Sequence, residues 1–96
     1  MLNKIEYQKS FKNGLNEVIY SDNPENLSEP EVDYTDISSI GYYDGFQYGD
    51  YCVRTGQQNA IKPEHLIAVI DKAFNRSVDI YNNAISNQDN TGPRVR

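Results

Sequence analysis

The sequence predicts an all-α fold, a small three-helix domain with an acidic loop between helices 1 and 2 and a frayed C-terminal tail. Apolar residues recur at helical spacing in three stretches, the prolines at 24, 30 and 63 punctuate those stretches, and a chain of 96 residues has room for one core. The expected organisation is a single domain over 1–96, with helices at about 3–20, 35–55 and 63–86, a loop at 21–34 and a tail at 87–96.

In the first stretch Tyr7, Phe11, Leu15, Val18 and Ile19 share one helical face, and Gly14 weakens it. Asn23-Pro24 ends the helix. The segment SDNPENLSEPEVD that follows is polar, acidic and twice broken by proline, so it reads as a connection.

The stretch TDISSIGYYDGFQYGDYCVRT admits two readings. Asp44-Gly45 between aromatic residues is a hairpin signal, and tyrosine and phenylalanine favour strands. On a helical wheel, however, Asp36, Ser39, Tyr43, Gln47, Asp50 and Arg54 fall in one polar arc. Ser38, Gly41, Gly45, Gly49, Cys52 and Gly56 form a stripe of small residues. Only Asp44 is out of place on that wheel. A hairpin would mix polar and apolar residues on both faces, so the helix is favoured, with Gly56 as its C-cap and Asp50 and Arg54 as an i, i+4 pair.

The third stretch starts well with Pro63 and Glu64 and carries Leu66, Ile70, Ala73, Phe74, Tyr81, Ala84 and Ile85 as a core stripe. Ile67, Val69, Val78 and Ile80 widen it. The segment NQDNTGPRVR has no apolar periodicity.

Charge is the most informative feature. From Gly14 to Val53 there are nine acids (Glu17, Asp22, Glu25, Glu29, Glu31, Asp33, Asp36, Asp44 and Asp50), no lysine or arginine, and six of the eight tyrosines. A compact state must hold that charge against its own repulsion, which points to complementarity with a cationic partner. Glu29, Glu31, Asp33, Tyr34, Asp36, Tyr43, Gln47 and Asp50 are the expected partner-binding residues. Tyr43, ringed by acids in the polar arc, is expected to be exposed as an anchor for an arginine or lysine, whereas Tyr42, Tyr48 and Tyr51 are expected in the core.

The glycines at 41, 45 and 49 together cost roughly 3 kcal/mol in a helix interior, so something must offset them. The expected reason is close approach of the third helix. The alternative is a groove for a partner or a second copy.

Other chemistries find little footing. The net charge of −5 disfavours nucleic acid, whose binding needs clustered bases. The acids do not fit an EF-hand loop, and no metal or cofactor site is expected. His65, the one histidine, lies in a helix first turn, and Cys52 lies on the small stripe, so neither reads as catalytic and an enzyme is not expected. The single cysteine and the lack of a signal peptide or an apolar span point to a cytoplasmic protein without membrane contact.

In composition the chain is similar to the acidic immunity proteins of bacterial toxin systems, a likeness of character with no family motif behind it. It implies an inhibitor that occludes a basic toxin or nuclease domain. Two alternatives accompany it: a structural or adaptor protein dimerising through the Gly41, Gly45 and Gly49 face, and a phage-type DNA mimic directed at a host defence enzyme.

Overall fold

A computed structural model describes residues 3–57 and 59–90, and among them it contains three α-helices, one short 3₁₀ turn and no strand. Helix α1 runs Lys4–Ile19, α2 runs Ile37–Arg54 and α3 runs Pro63–Asn90; the 3₁₀ turn is Pro24–Asn26. The all-α reading and the helix in place of the hairpin at Asp44-Gly45 agree with this architecture. Helix α3 continues to Asn90 rather than ending near 86, and residues 91–96 of the expected tail lie outside the described residues.

Helix α1 starts where the Asn3 side chain accepts from the Glu6 backbone N–H at 3.1 Å, a capping contact that satisfies one of the helix's free donors. Its buried residues, Tyr7, Phe11, Gly14, Leu15 and Val18, follow the i, i+4 rhythm of one face. Asp36 caps α2 in the same way, accepting from the Ser38 N–H at 3.0 Å. At its other end Gly56 adopts φ of +72°, and the N–H groups of Gly56 and Gln57 reach back to the carbonyls of Val53 and Cys52. This is a Schellman closure, which requires the left-handed conformation that glycine tolerates best.

The glycines of α2 face α1. A Cβ on Gly45 would collide with the Phe11 carbonyl oxygen, and one on Gly41 would sit 2.7 Å from the Tyr7 oxygen. At Gly49 it would lie 3.1 Å from the Leu15 oxygen, and at Gly14, on the opposing helix, it would collide with the Tyr42 oxygen. These contacts correct two expectations. The small stripe admits the first helix, not the third, and Gly14 is a contact surface and not merely a weak point of α1. Glycines four apart on one helix meet carbonyls four apart on the other, the pattern of i±4n rows packed at the closest possible range.

The pairing of 7 with 41, 11 with 45 and 15 with 49 also shows that α1 and α2 run in the same direction. A parallel pair cannot be joined by a tight turn. The chain between them must travel back along the full length of α1, about 24 Å for sixteen residues, and the loop supplies that return.

Helix α3, with 28 residues and a length of about 42 Å, overruns the pair. It buries Ile70, Ala73 and Ser77 against Tyr7, Phe11, Ile37 and Ile40, with Leu66, Val69, Phe74 and Tyr81 packed around them. Lys4 ties it to α1 through a 2.8 Å ion pair with Asp71.

Substitution at the helix contact should therefore be costly although alanine is the better helix former. Gly45→Ala is expected to lower the unfolding free energy by about 1–3 kcal/mol, and Gly45→Leu should not fold. Gly56→Ala, with open space around it, should cost only about 1–2 kcal/mol through the left-handed φ. Urea unfolding followed by circular dichroism ranks the three, and a Gly45→Leu variant of native stability would refute the close contact.

Candidate functional site

The returning loop descends along one flank of α2, and three contacts fix it there. The Gln47 side-chain amide donates to Glu29 at 2.7 Å, the Asp33 backbone N–H donates to Ser39 Oγ at 2.8 Å, and Val32 packs on the core. As the loop number rises the α2 number falls, so the acids form a row beside the helix. Glu25, Glu29, Glu31, Asp33 and Asp36 along this row are all exposed.

The eight expected partner-binding residues divide into groups. Glu29, Tyr43 and Gln47 come together: burial raises the Tyr43 hydroxyl above its ordinary range, and the nearby Glu29 and Tyr34 reinforce the shift. Glu31 and Tyr34 are exposed, Tyr34 at 47 %.

Asp33 and Asp36 have local work as well. Asp33 Oδ1 accepts from the Thr35 hydroxyl at 2.6 Å and from the Thr35 N–H at 3.0 Å, which together hold its carboxyl below the usual range, and Asp36 is the cap of α2. Asp50 accepts from Arg54 at 3.0 Å, the i, i+4 pair expected from the sequence, so its charge is answered within the chain. The row available to a partner is thus carried by Glu25, Glu29 and Glu31, with Asp33 and Asp36 attached to their turns.

Two tyrosines differ from expectation. Tyr43 is half-buried, with Glu29 and Tyr34 of the loop close to its hydroxyl, and Tyr51, expected in the core, is 50 % exposed and stacks against Tyr48 at 6.5 Å.

The feature the sequence reading missed is the role of Asp44. It turns away from the acidic row, and its Oδ2 accepts from the Tyr7 hydroxyl and from the Ser77 hydroxyl, each at 2.6 Å. One carboxylate thereby joins all three helices, at lengths typical of charge-assisted bonds. Its misplacement on the helical wheel was the signal. Ser77 is 1 % exposed, and Asp44 is shared with the Tyr7 hydroxyl, so this cluster binds the helices and offers no open nucleophile.

Beside Asp44 a cleft of about 380 Å³ opens between the helices. Phe11, Tyr43, Tyr48, Val69 and Ala73 give it apolar walls, and Asp44, Gln47, Lys72 and Arg76 supply its polar groups. Cys52 is fully buried, with its thiol pushed up by burial, and His65 is exposed in the first turn of α3. Among the described residues no cluster of three or more metal-ligating side chains occurs, and no helix is long and apolar enough to cross a membrane. Compared with protein-family models, curated proteins and solved structures, the chain matches none.

The Tyr7 hydroxyl ties stability to alkaline pH. Burial, then its bond to Asp44, raises it far above its ordinary 10.0, and burial likewise pushes Tyr48 up to about 12. Groups raised in the folded state contribute stability that is fully present below the unfolded pKa and is lost as pH climbs toward the folded one. The melting temperature should therefore fall from pH ~10 upward. Tyr7→Phe should cost about 1.5–3 kcal/mol at neutral pH and flatten the alkaline decline, since its unfolded state no longer gains by ionising. Thermal melts of both proteins between pH ~7 and ~11 check this, and parallel alkaline slopes would refute it.

Proposed function

We propose that the protein is an acidic inhibitor that binds and occludes a basic partner protein, acting as an immunity protein or antitoxin against a nuclease-type toxin in the cytoplasm. One observation carries the reading: nine acids and no base between Gly14 and Val53, with the loop acids exposed in a row along α2. A nuclease presents cations to the phosphates of its substrate, and a row of carboxylates on a folded scaffold competes for the same cations. Long-range attraction would raise the encounter rate toward the order of 10⁸ M⁻¹s⁻¹, and Tyr43 with Tyr34 would supply the desolvated contacts that slow release.

The anchoring of the loop supports this use. A row held by the Gln47–Glu29 and Asp33–Ser39 bonds loses less conformational freedom on binding than a loose linker of the same charge. Self-association through Gly41, Gly45 and Gly49 is the weaker reading, because α1 of the same chain fills that face.

The test separates charge from structure. Glu25→Lys with Glu31→Lys should slow association with the basic partner by about tenfold or more at low salt and leave the melting temperature within a few degrees, since both residues are exposed and neither anchors the loop. Wild-type association should slow steeply between ~50 and ~500 mM salt. Asp36→Ala should instead cost about 1 kcal/mol of stability through the lost cap. Stopped-flow association with the basic protein recovered from the host at low salt gives the rates, and a double variant that associates as fast as wild type would overturn the reading.

A further inference from the structure

The cleft between α2 and α3 borders the acidic row, sharing Tyr43 and Gln47 with it, but its chemistry differs. Its walls are rings and aliphatic groups: Phe11, Tyr48 and Tyr43 on one side, Val69 and Ala73 on the other. Asp44 lines it with a carboxylate whose Oδ2 is occupied by Tyr7 and Ser77, while Oδ1 keeps its capacity to accept. Lys72 and Arg76, one turn apart on α3, also line it, and both residues are exposed. Among the described residues the ion pairs are Lys4–Asp71 and Asp50–Arg54, so neither cleft cation is held in one. Two adjacent cations at a cleft in an acidic chain are the opposite of what the acidic row requires.

We propose that this cleft binds a small aromatic carboxylate carrying a hydrogen-bond donor on its ring. The ring packs between the tyrosines and the Val69–Ala73 face, the donor meets Asp44 Oδ1, and the carboxylate meets Lys72 and Arg76. A volume of about 380 Å³ accommodates a single substituted ring, and apolar walls with a few convergent polar groups are the usual make-up of a ligand site. The sign pattern selects the class: a cationic amine in place of the carboxylate is repelled by both bases, and a ring without a donor leaves Oδ1 unanswered. The cleft shares Tyr43 and Gln47 with the acidic face, but its cations Lys72 and Arg76 lie on α3 and form no ion pair with the loop acids, so a small ligand there is read without the basic partner.

The probe is 4-hydroxyphenylacetate, titrated into the full chain and followed by amide chemical shifts in two-dimensional NMR. Saturable shifts at Gln47, Val69, Ala73 and Arg76 are expected, with a dissociation constant of about 0.1–1 mM, the range of a single-ring ligand. Phenylacetate, lacking the donor, should bind about five-fold or more weakly, and tyramine, with an amine for the carboxylate, should give no saturable shift at the same concentrations. Lys72→Gln with Arg76→Gln changes only exposed side chains and should weaken the carboxylate by about five-fold or more while the spectrum stays folded. No shifts at up to ~10 mM probe, equal binding of tyramine, or unchanged affinity in the double variant each overturns the proposal.

Discussion

The structure rests on backbone meeting backbone between α1 and α2. Four glycines, one on α1 and three on α2, bring each helix's Cα atoms against the other's carbonyl oxygens, where any side chain would intrude. Four interior glycines cost roughly 4 kcal/mol in helix propensity, and the close approach must return that. It does so through dense dispersion contact and through Cα–H groups aimed at the Tyr7, Phe11 and Tyr42 carbonyls, each such contact contributing about 0.5–1 kcal/mol. Because carbonyls repeat every four residues along one face, the glycines repeat every four as well, and the register of the pair is fixed without a large interdigitated core.

From that contact the rest of the architecture follows. The pair is parallel, so the chain needs a long return, and the return lies on the outer flank of α2, the inner one being filled by α1. A segment forced to run exposed beside a helix cannot be apolar, and it must satisfy its own backbone as it goes. Asp33 closes the turn at Thr35 and Asp36 caps α2, which shows how acids chosen for turn chemistry add to the same field as Glu25, Glu29 and Glu31. Charge that looks like one uninterrupted run in sequence is therefore two populations in space: carboxylates that hold the loop's geometry and carboxylates that only project from it.

Much of this was legible in the residues. The face of α1 from Tyr7 to Val18, a middle helix at about 35–55 (found at Ile37–Arg54), its Gly56 stop, the Asp50–Arg54 pair and the Pro63 start all follow from local rules of spacing and capping. The small stripe was visible too, yet not which neighbour it admits, because a stripe states a distance of approach and not the identity of the approaching element. Gly14 held the missing clue: a glycine opposite other glycines marks mutual contact, whereas alone in its own helix it looks like a defect. Tyr43 and Tyr51 depart from expectation for a related reason, since a helical wheel ranks faces by polarity and cannot show that the returning loop brings Glu29 and Tyr34 close to Tyr43.

Asp44 illustrates what such a wheel does carry. A carboxylate set among apolar positions costs several kcal/mol to bury unless its lone pairs are met, so its presence there demands donors from elsewhere in the fold. Tyr7 and Ser77 provide them from the two other helices, at positions 37 and 33 residues away in the chain. The packing of α3 alone would not fix its rotation, because a cleft separates part of it from α2 and, among the described residues, only Ile70, Ala73 and Ser77 are buried on it. Two hydroxyls on one oxygen leave little freedom of angle, and turning α3 by a residue would strand the Asp44 charge. Orientation of the third helix is thus set by polar geometry where shape complementarity is lacking, and the same arrangement keeps the cleft open beside it.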